Sequence, residues 1–388
     1  MDNSIFLCYD IPASLNKPIH KYMNTTYDEH QYQLNLLYSV YSFPNTILPL
    51  IGGILVDKYG TTTTLIVFGI LVVFGHFIFS IGLTLKSFPT MLLGRFVFGL
   101  GGETLEVSQT KKYLSLALGI NLTIVRLASV STDNLSPIIA NAKGILAANW
   151  VGFGMCVFGF ACALILRFKY QMQSYEKLEN RDLDEENEEF NTTKHDGIRE
   201  RLLLGFPIKF YILILVVMFS YGAINPFVHI SSDFYQFKYN FSNTEAGKYM
   251  ALPDLLSAVL NPFLGYILDK SSFNSKYILP IASIFIAISH FMFAFTNAHV
   301  IVCLLIFGLS YSLLAAVSWP LVSVIVDVNT VGKAYGLVSV FLNMALSLFP
   351  LLVAYVRVQF GSFIAVEILF IVISLTGTIF SFIFVFIR

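Results

Sequence analysis

Glu103 and Arg126 sit where charge is costly, inside adjoining apolar runs at 89–109 and 114–138. At the rise of a helix, Glu103 lies about 21 Å from the start of its run and Arg126 about 18 Å from the start of the next. Consecutive antiparallel helices would bring both to the same inner part of a membrane. An intramembrane charge costs about 2.5–3.5 kcal/mol on insertion scales, so each needs a partner or a wet cavity. A guanidinium can clamp a carboxylate bidentately and a carboxylate can hold an ammonium, which together suit a small zwitterion. The same pair could instead be a resting salt bridge between two helices. Glu106 lies about 60° round the helix from Glu103 and faces either the cavity or a neighbouring helix. Tyr38, Tyr41, Tyr311 and Trp319 offer aromatic cavity walls, or plain packing. Asp10 could reach the mouth of such a cavity.

These residues must be positioned by transmembrane helices. The 388-residue chain is 56% hydrophobic and only 12% charged, and the charge is unevenly spread. Between Arg167 and Arg201, 17 of 35 residues are charged, which isolates one hydrophilic segment between long apolar stretches. Spans of about 20 apolar residues are expected at 34–56, 62–84, 89–109, 114–138 and 146–167, then at 207–230, 247–268, 276–296, 299–326, 332–356 and 362–387. Ser4 to Leu15 is apolar but too short to cross. With 167–209 in the cytosol, that side holds 15 Lys and Arg against seven opposite, which fixes the orientation. The first full span must then begin outside, so the 4–15 segment reads as the end of a truncated first helix. Sequons at Asn24 and Asn240 fall on the luminal side, and the one at Asn191 on the cytosolic side.

The two halves repeat each other. Gly53-Ile-Leu-Val-Asp57-Lys58 returns as Gly265-Tyr-Ile-Leu-Asp269-Lys270, and His76-Phe-Ile-Phe-Ser80 as His290-Phe-Met-Phe-Ala294, at offsets of 212 and 214. Phe98-Gly-Leu-Gly matches Phe307-Gly-Leu-Ser at 209, and Ala117-Leu-Gly matches Ala334-Tyr-Gly at 217. Four matches in one order at nearly constant offset mark an internal duplication. The jump from 209 to 217 leaves the first half eight residues short between Glu103 and Arg126. The fold expected is all-α and polytopic, with two six-helix pseudo-repeats: a first half at 1–168, a charged cytosolic linker at 169–206 and a second half at 207–388. The equivalents of Glu103 and Arg126 in the second half are Ser312 and Asn343, so the charged pair is one-sided. His76 and His290 are expected to make structural hydrogen bonds.

Gly53-x-x-x-Asp57-Lys58-x-Gly60 resembles the cytosolic loop signature of the major facilitator superfamily. Gly53, Asp57 and Lys58, with Asp269 in the second half, are the gating candidates. Arg95-x-x-x-Gly99-x-Gly101 resembles that superfamily's fourth-helix motif; its glycines permit close helix approach. Arg95 either supports proton coupling or makes structural hydrogen bonds. Tyr38-Ser-Val-Tyr41-Ser-Phe-Pro44-Asn45, Gly94-Arg95 through Gly-Gly-Glu103, Tyr311-Ser-Leu-Leu-Ala315 and Trp319-Pro320 resemble the lysosomal dipeptide transporter branch of the superfamily. The resemblance covers nearly all of the chain outside the linker. It implies a major facilitator fold, dipeptide transport by alternating access, a lysosomal or other endomembrane location, and a glycosylated lysosomal membrane accessory subunit. It also puts substrate-binding charges on Glu103 and Arg126.

Other classes fare worse. Balanced charge, 24 basic against 24 acidic residues, speaks against a nucleic-acid partner. The sequence has no HExxH, GxGD or P-loop motif and no CxxC pair, so neither protease chemistry, ATP-driven pumping nor a bound cofactor is expected. The alternatives that remain are a proton-coupled carrier of another small organic solute and a non-transporting nutrient sensor on the same fold. A plasma-membrane location also stays open.

Overall fold

The computed structural model describes residues 2–109, 115–179, 205–270, 275–327 and 330–387; within these, the side chains of 2–4, 50–62, 103–109, 115–121, 166–179 and 269 are not described. The described residues form thirteen α-helices and no strand. The first half runs α1 (Asp2–Ser14), α2 (Asn16–Met23), α3 (Tyr27–Ser42), α4 (Leu48–Thr84), α5 (Phe88–Gln109), α6 (Ser115–Lys143) and α7 (Ile145–Glu179). The second runs α8 (Ile208–Lys238), α9 (Asn243–Lys270), α10 (Ile278–Phe295), α11 (Val300–Ile325), α12 (Val331–Phe360) and α13 (Phe363–Phe386).

Eight of these helices, among the described residues, are long and apolar enough to cross a membrane. The sequence led us to expect eleven full spans. The three outside that set are 34–56, 89–109 and 114–138, which correspond to α3, α5 and α6. Two of these helices carry buried charge, α5 with Arg95 and α6 with Arg126 and Asp133, and in both some side chains, 103–109 and 115–121, are not described.

One boundary differs from expectation. Two spans, 34–56 and 62–84, were expected to meet in a loop at the Gly53–Gly60 motif. Instead α4 runs unbroken for 37 residues, and the interruption falls at Phe43–Ile47 around a 3-10 turn, Pro44–Thr46. Proline explains the shift: Pro44 lacks the N–H that a continuing helix needs, and Pro49 suits the first turn of α4, whereas 53–64 contains no proline. The gating candidates Gly53, Asp57 and Lys58 therefore ride on helix backbone, as does Asp269 in α9, with side chains outside the described residues.

Glycine sets the packing of the first half. A Cβ on Gly94 would meet Phe79 N at 2.3 Å, and one on Gly75 would meet Phe98 N at 2.3 Å, so α4 and α5 are in backbone contact. Gly99 faces the Tyr41 carbonyl at 2.2 Å by the same measure, locking α3 to α5. The second half is held by an aromatic cluster around Phe227, with Phe234, Phe293, Phe307 and Phe370. Beneath it His290 Nδ1 meets Glu367 Oε2 at 2.8 Å, both residues fully buried.

The halves meet along α6 and α9, α3 and α12, and α1 and α8. Gly247 of α9 sits against Asp133 O of α6, where a Cβ would approach to 2.2 Å. Thr123 Oγ1 donates to Ala258 O across the same contact (2.8 Å). At one end of the bundle, Asp233 of α8 accepts from Tyr27 (2.5 Å) and Gln31 (3.2 Å) of α3, with Lys17 of α2 at 3.9 Å. Arg357 of α12 lies over the Tyr27 ring at 5.0 Å, and Lys86 over Tyr22 at 4.5 Å. These contacts gather at one end the turns that carry Asn24, Lys86 and Asn240, as alternate connections require.

Candidate functional site

Arg126 projects from α6 into the seam between the halves. Its Nη1 donates to Asp254 Oδ1 of α9 at 3.4 Å, and its guanidinium lies 4.1 Å from the centre of the Tyr311 ring of α11. Tyr311 in turn meets Tyr221 of α8 edge-on at 6.1 Å. The base of one half is thus held by an acid and an aromatic face of the other, at side-chain exposures of 11% and 9% for the ion pair. A substrate carboxylate arriving in the seam would meet a guanidinium already oriented, with Asp254 as its resting counter-ion.

Next to this lies an aromatic plug. Tyr38 of α3 stacks on His229 of α8 at 3.5 Å and 7°, and Tyr9 of α1 hydrogen-bonds His229 Nε2 at 3.1 Å. Tyr9 also packs on Tyr41 at 4.7 Å. Tyr38 and Tyr41 therefore belong to one group, Arg126 and Tyr311 to another. Trp319 stands about 12 Å further along α11 than Tyr311. Its ring packs on Tyr335 (5.9 Å), whose hydroxyl donates to the Trp319 carbonyl. Glu103 and Glu106 lie on α5 with side chains outside the described residues, and residues 110–114 are likewise outside them.

Arg95 has a local task. Pro12 of α1 has no N–H, so the Cys8 carbonyl loses its helical donor. The next donor, Ala13 N–H, is turned to the Tyr38 hydroxyl at 2.9 Å. Arg95 Nη2 fills the gap, donating to Tyr9 O at 3.1 Å and Cys8 O at 3.4 Å. The Phe79 and Phe98 rings lie 4.8 and 5.6 Å from its guanidinium. Of the two roles open to Arg95, this geometry supplies the structural one.

Four buried acids are not singled out by the sequence reading: Asp254 on α9, Asp133 on α6, Asp233 on α8 and Glu367 on α13. Asp254 and Asp133 lie in electrostatic reach of each other and of Asp10, which accepts from the Ser129 hydroxyl. A count of every ionisable residue inside an expected span would have found all but Asp233, which follows its own. Their partners, on helices far away in sequence, would not have been found that way.

A two-half bundle with a charged seam narrows the fold, and a family comparison decides it. The family model described as Major Facilitator Superfamily matches residues 4–350 and 210–388. The chain belongs to the major facilitator superfamily. Among curated members, the lysosomal dipeptide transporter MFSD1 of Mus musculus is 30% identical over 94% of this chain and 80% of its own length. The protein of that name from Homo sapiens is 29% identical over 94% and 79%. Among solved members of the fold, the D-xylose-proton symporter aligns with a TM-score of 0.71 at 16% identity, over 99% of this chain and 95% of its own. A point mutant of the nucleoside transporter NupG gives 0.65 at 11%, over 99% and 98%. This superfamily member is a multi-pass membrane transporter, as its relatives are, rather than an enzyme.

Proposed function

We propose that the chain is a facilitative transporter of dipeptides, working by alternating access from a lysosomal or related endomembrane. Its halves, 1–168 and 207–388, rock about the seam, with 169–206 as the cytosolic linker. Arg126 takes the substrate carboxylate, and an intramembrane acid takes the ammonium; Glu103 is the acid that the resemblance points to. Tyr38, Tyr41 and Tyr311 close around the peptide, and Asp57 with Asp269 guards the cytosolic side. A glycosylated membrane partner follows from the resemblance alone.

The observation that carries this reading is the guanidinium of Arg126 held across the seam by Asp254 and Tyr311, in a chain 30% identical to curated dipeptide transporters. Such a guanidinium can exchange a protein acid for a ligand carboxylate, which releases Asp254 and loosens that tie between the halves. The test is ligand-induced thermal stabilisation of the purified protein. Dipeptides should raise the unfolding temperature and sugars or nucleosides should not; stabilisation by those solutes with no response to dipeptides would replace the substrate class.

A further inference from the structure

The end of the bundle that carries Asn24 and Asn240 is closed on one acid with two arms. Asp233 of α8 accepts from Tyr27 and Gln31 of α3, while Lys17 of α2 approaches its other oxygen at 3.9 Å. Since α2 and α3 belong to the first half and α8 to the second, Asp233 ties the halves while α2 and α3 present both arms together. Two histidines join those arms. His20 lies one turn after Lys17 on α2, and His30 one turn after Tyr27 on α3. Their rings stack with centres 4.8 Å apart at 27°, and the Tyr27 ring meets His20 edge-on at 6.1 Å.

Both rings are held neutral. His30 Nε2 donates to Asn16 Oδ1 at 2.8 Å and His20 Nε2 to the Thr25 carbonyl at 3.0 Å, which leaves Nδ1 of each ring to take an added proton. His30 is 2% exposed, and its Nδ1 has no hydrogen-bond partner among the described residues, so a proton there gains no acceptor. Two charged rings would also repel each other across 4.8 Å. The cations at this end are Lys17 and Lys21 on α2, Lys86 ahead of α5, Lys143 at the end of α6 and Arg357 on α12. Against them stand only Asp28 and Glu29 on α3 and Asp233 on α8, because Asp10 of α1 is turned to Ser129. Burial, with the His20 ring beside it, pushes His30 down to about 4, in a segment ahead of the apolar run at 34–56.

We propose that His20 and His30 form an acid-sensitive switch on this closure: once protonated they part α2 from α3, withdraw the two arms from Asp233 and open the end of the seam opposite the linker. The switch rests on the halves rocking about the seam and not on which substrate they carry. Its direction follows from the closed state binding fewer protons than the open one. The closure is at full strength above about 6.5, the ordinary histidine value, and weakens as pH falls from there toward about 4. From about pH 7.5 to about pH 5, His30 alone moves the open-to-closed ratio toward open by about 25-fold. In an acidic compartment the entrance therefore opens on the side from which export begins.

The test reads the distance between spin labels at Ala142→Cys on α6 and Gln359→Cys on α12, exposed positions at this end of the two halves. It uses the full chain in lipid nanodiscs, without substrate and with Cys162→Ala, since the other three cysteines are buried. Pulsed electron–electron resonance should show a longer-distance population that grows about 25-fold relative to the shorter one from about pH 7.5 to about pH 5. His20→Gln with His30→Gln keeps an N–H for Thr25 and Asn16 but cannot titrate, so the double variant should hold one distribution at both pH values. An unchanged shift in that variant assigns the titration to Asp233 or another group and overturns the switch, as does a pH-independent distribution in the protein with both histidines. If the double variant does not fold, His20→Gln alone decides: a shift several-fold smaller supports the paired switch, and an unchanged shift overturns it. With no substrate present, either failure leaves the dipeptide reading standing, and a protein that binds no dipeptide leaves the switch untouched.

Discussion

Replacing Arg95 by methionine should destabilise the protein, and replacing Pro12 should soften the blow. The side chain is fully buried and donates twice from Nη2, to carbonyls of α1 that Pro12, lacking an N–H, leaves short of donors. A hydrogen bond from a charged group contributes about 1.5–3 kcal/mol, and a buried carbonyl left unmet costs about 1–3 kcal/mol. The 3.4 Å contact is long, and losing a buried charge recovers desolvation, so we expect a net cost of about 2–3 kcal/mol for Arg95→Met. Pro12→Ala returns an N–H to the Cys8 carbonyl. In that background Arg95→Met should cost about 1 kcal/mol less, a coupling within reach of a double-mutant cycle. The assay is denaturant unfolding in detergent for the four proteins. Strict additivity would refute the clamp. A fully stable Arg95→Met protein that loses only a pH-driven component of transport would restore the proton-coupling role.

Gly99→Val should prevent accumulation of folded protein, because even a Cβ would stand 2.2 Å from the Tyr41 carbonyl; size-exclusion yield reads this directly. His290→Leu and Glu367→Leu should each destabilise by about 3–5 kcal/mol, and the double substitution by much less, since the pair at 2.8 Å leaves an uncompensated buried group only when one partner goes. Asp233→Ala removes the acceptor shared by Tyr27 and Gln31, so a cysteine placed near Asn24 and the seam should become more reactive to a membrane-impermeant thiol reagent. Asn24→Gln or Asn240→Gln should remove a glycan and Asn191→Gln should not; a glycan at Asn191 would invert the topology.

Much of the fold was legible because its signals are local or periodic. The glycines beside Arg95 announced close helix approach, and each meets backbone of α3 or α4. The repeat placed His76 and His290 on corresponding helices, and both are buried. The Gly53–Gly60 motif misled in one respect: a glycine-rich signature suggested a loop, while the prolines at 44 and 49 determined where the helix stops. At the site, Arg126 and Tyr311 were legible as an unusual charge and an aromatic in apolar runs. Asp254 was not, because its meaning comes from a partner on α6 in the other half. Arg95 could be narrowed to two roles in sequence; its hydrogen bonds to the Cys8 and Tyr9 carbonyls are visible only in the fold.

The central claim is that Arg126 receives the substrate carboxylate in the seam between the halves. Its most direct test is counterflow of a labelled dipeptide in liposomes containing the unaltered protein or Arg126→Ala, with free and C-terminally amidated dipeptides as trans substrates. The account predicts that Arg126→Ala lowers affinity for the free dipeptide roughly thirty-fold or more while barely changing the already weak amide, whose lost charge is the one arginine recognises. Equal loss for both ligands would contradict it and leave Arg126 and Asp254 as a structural tie between α6 and α9.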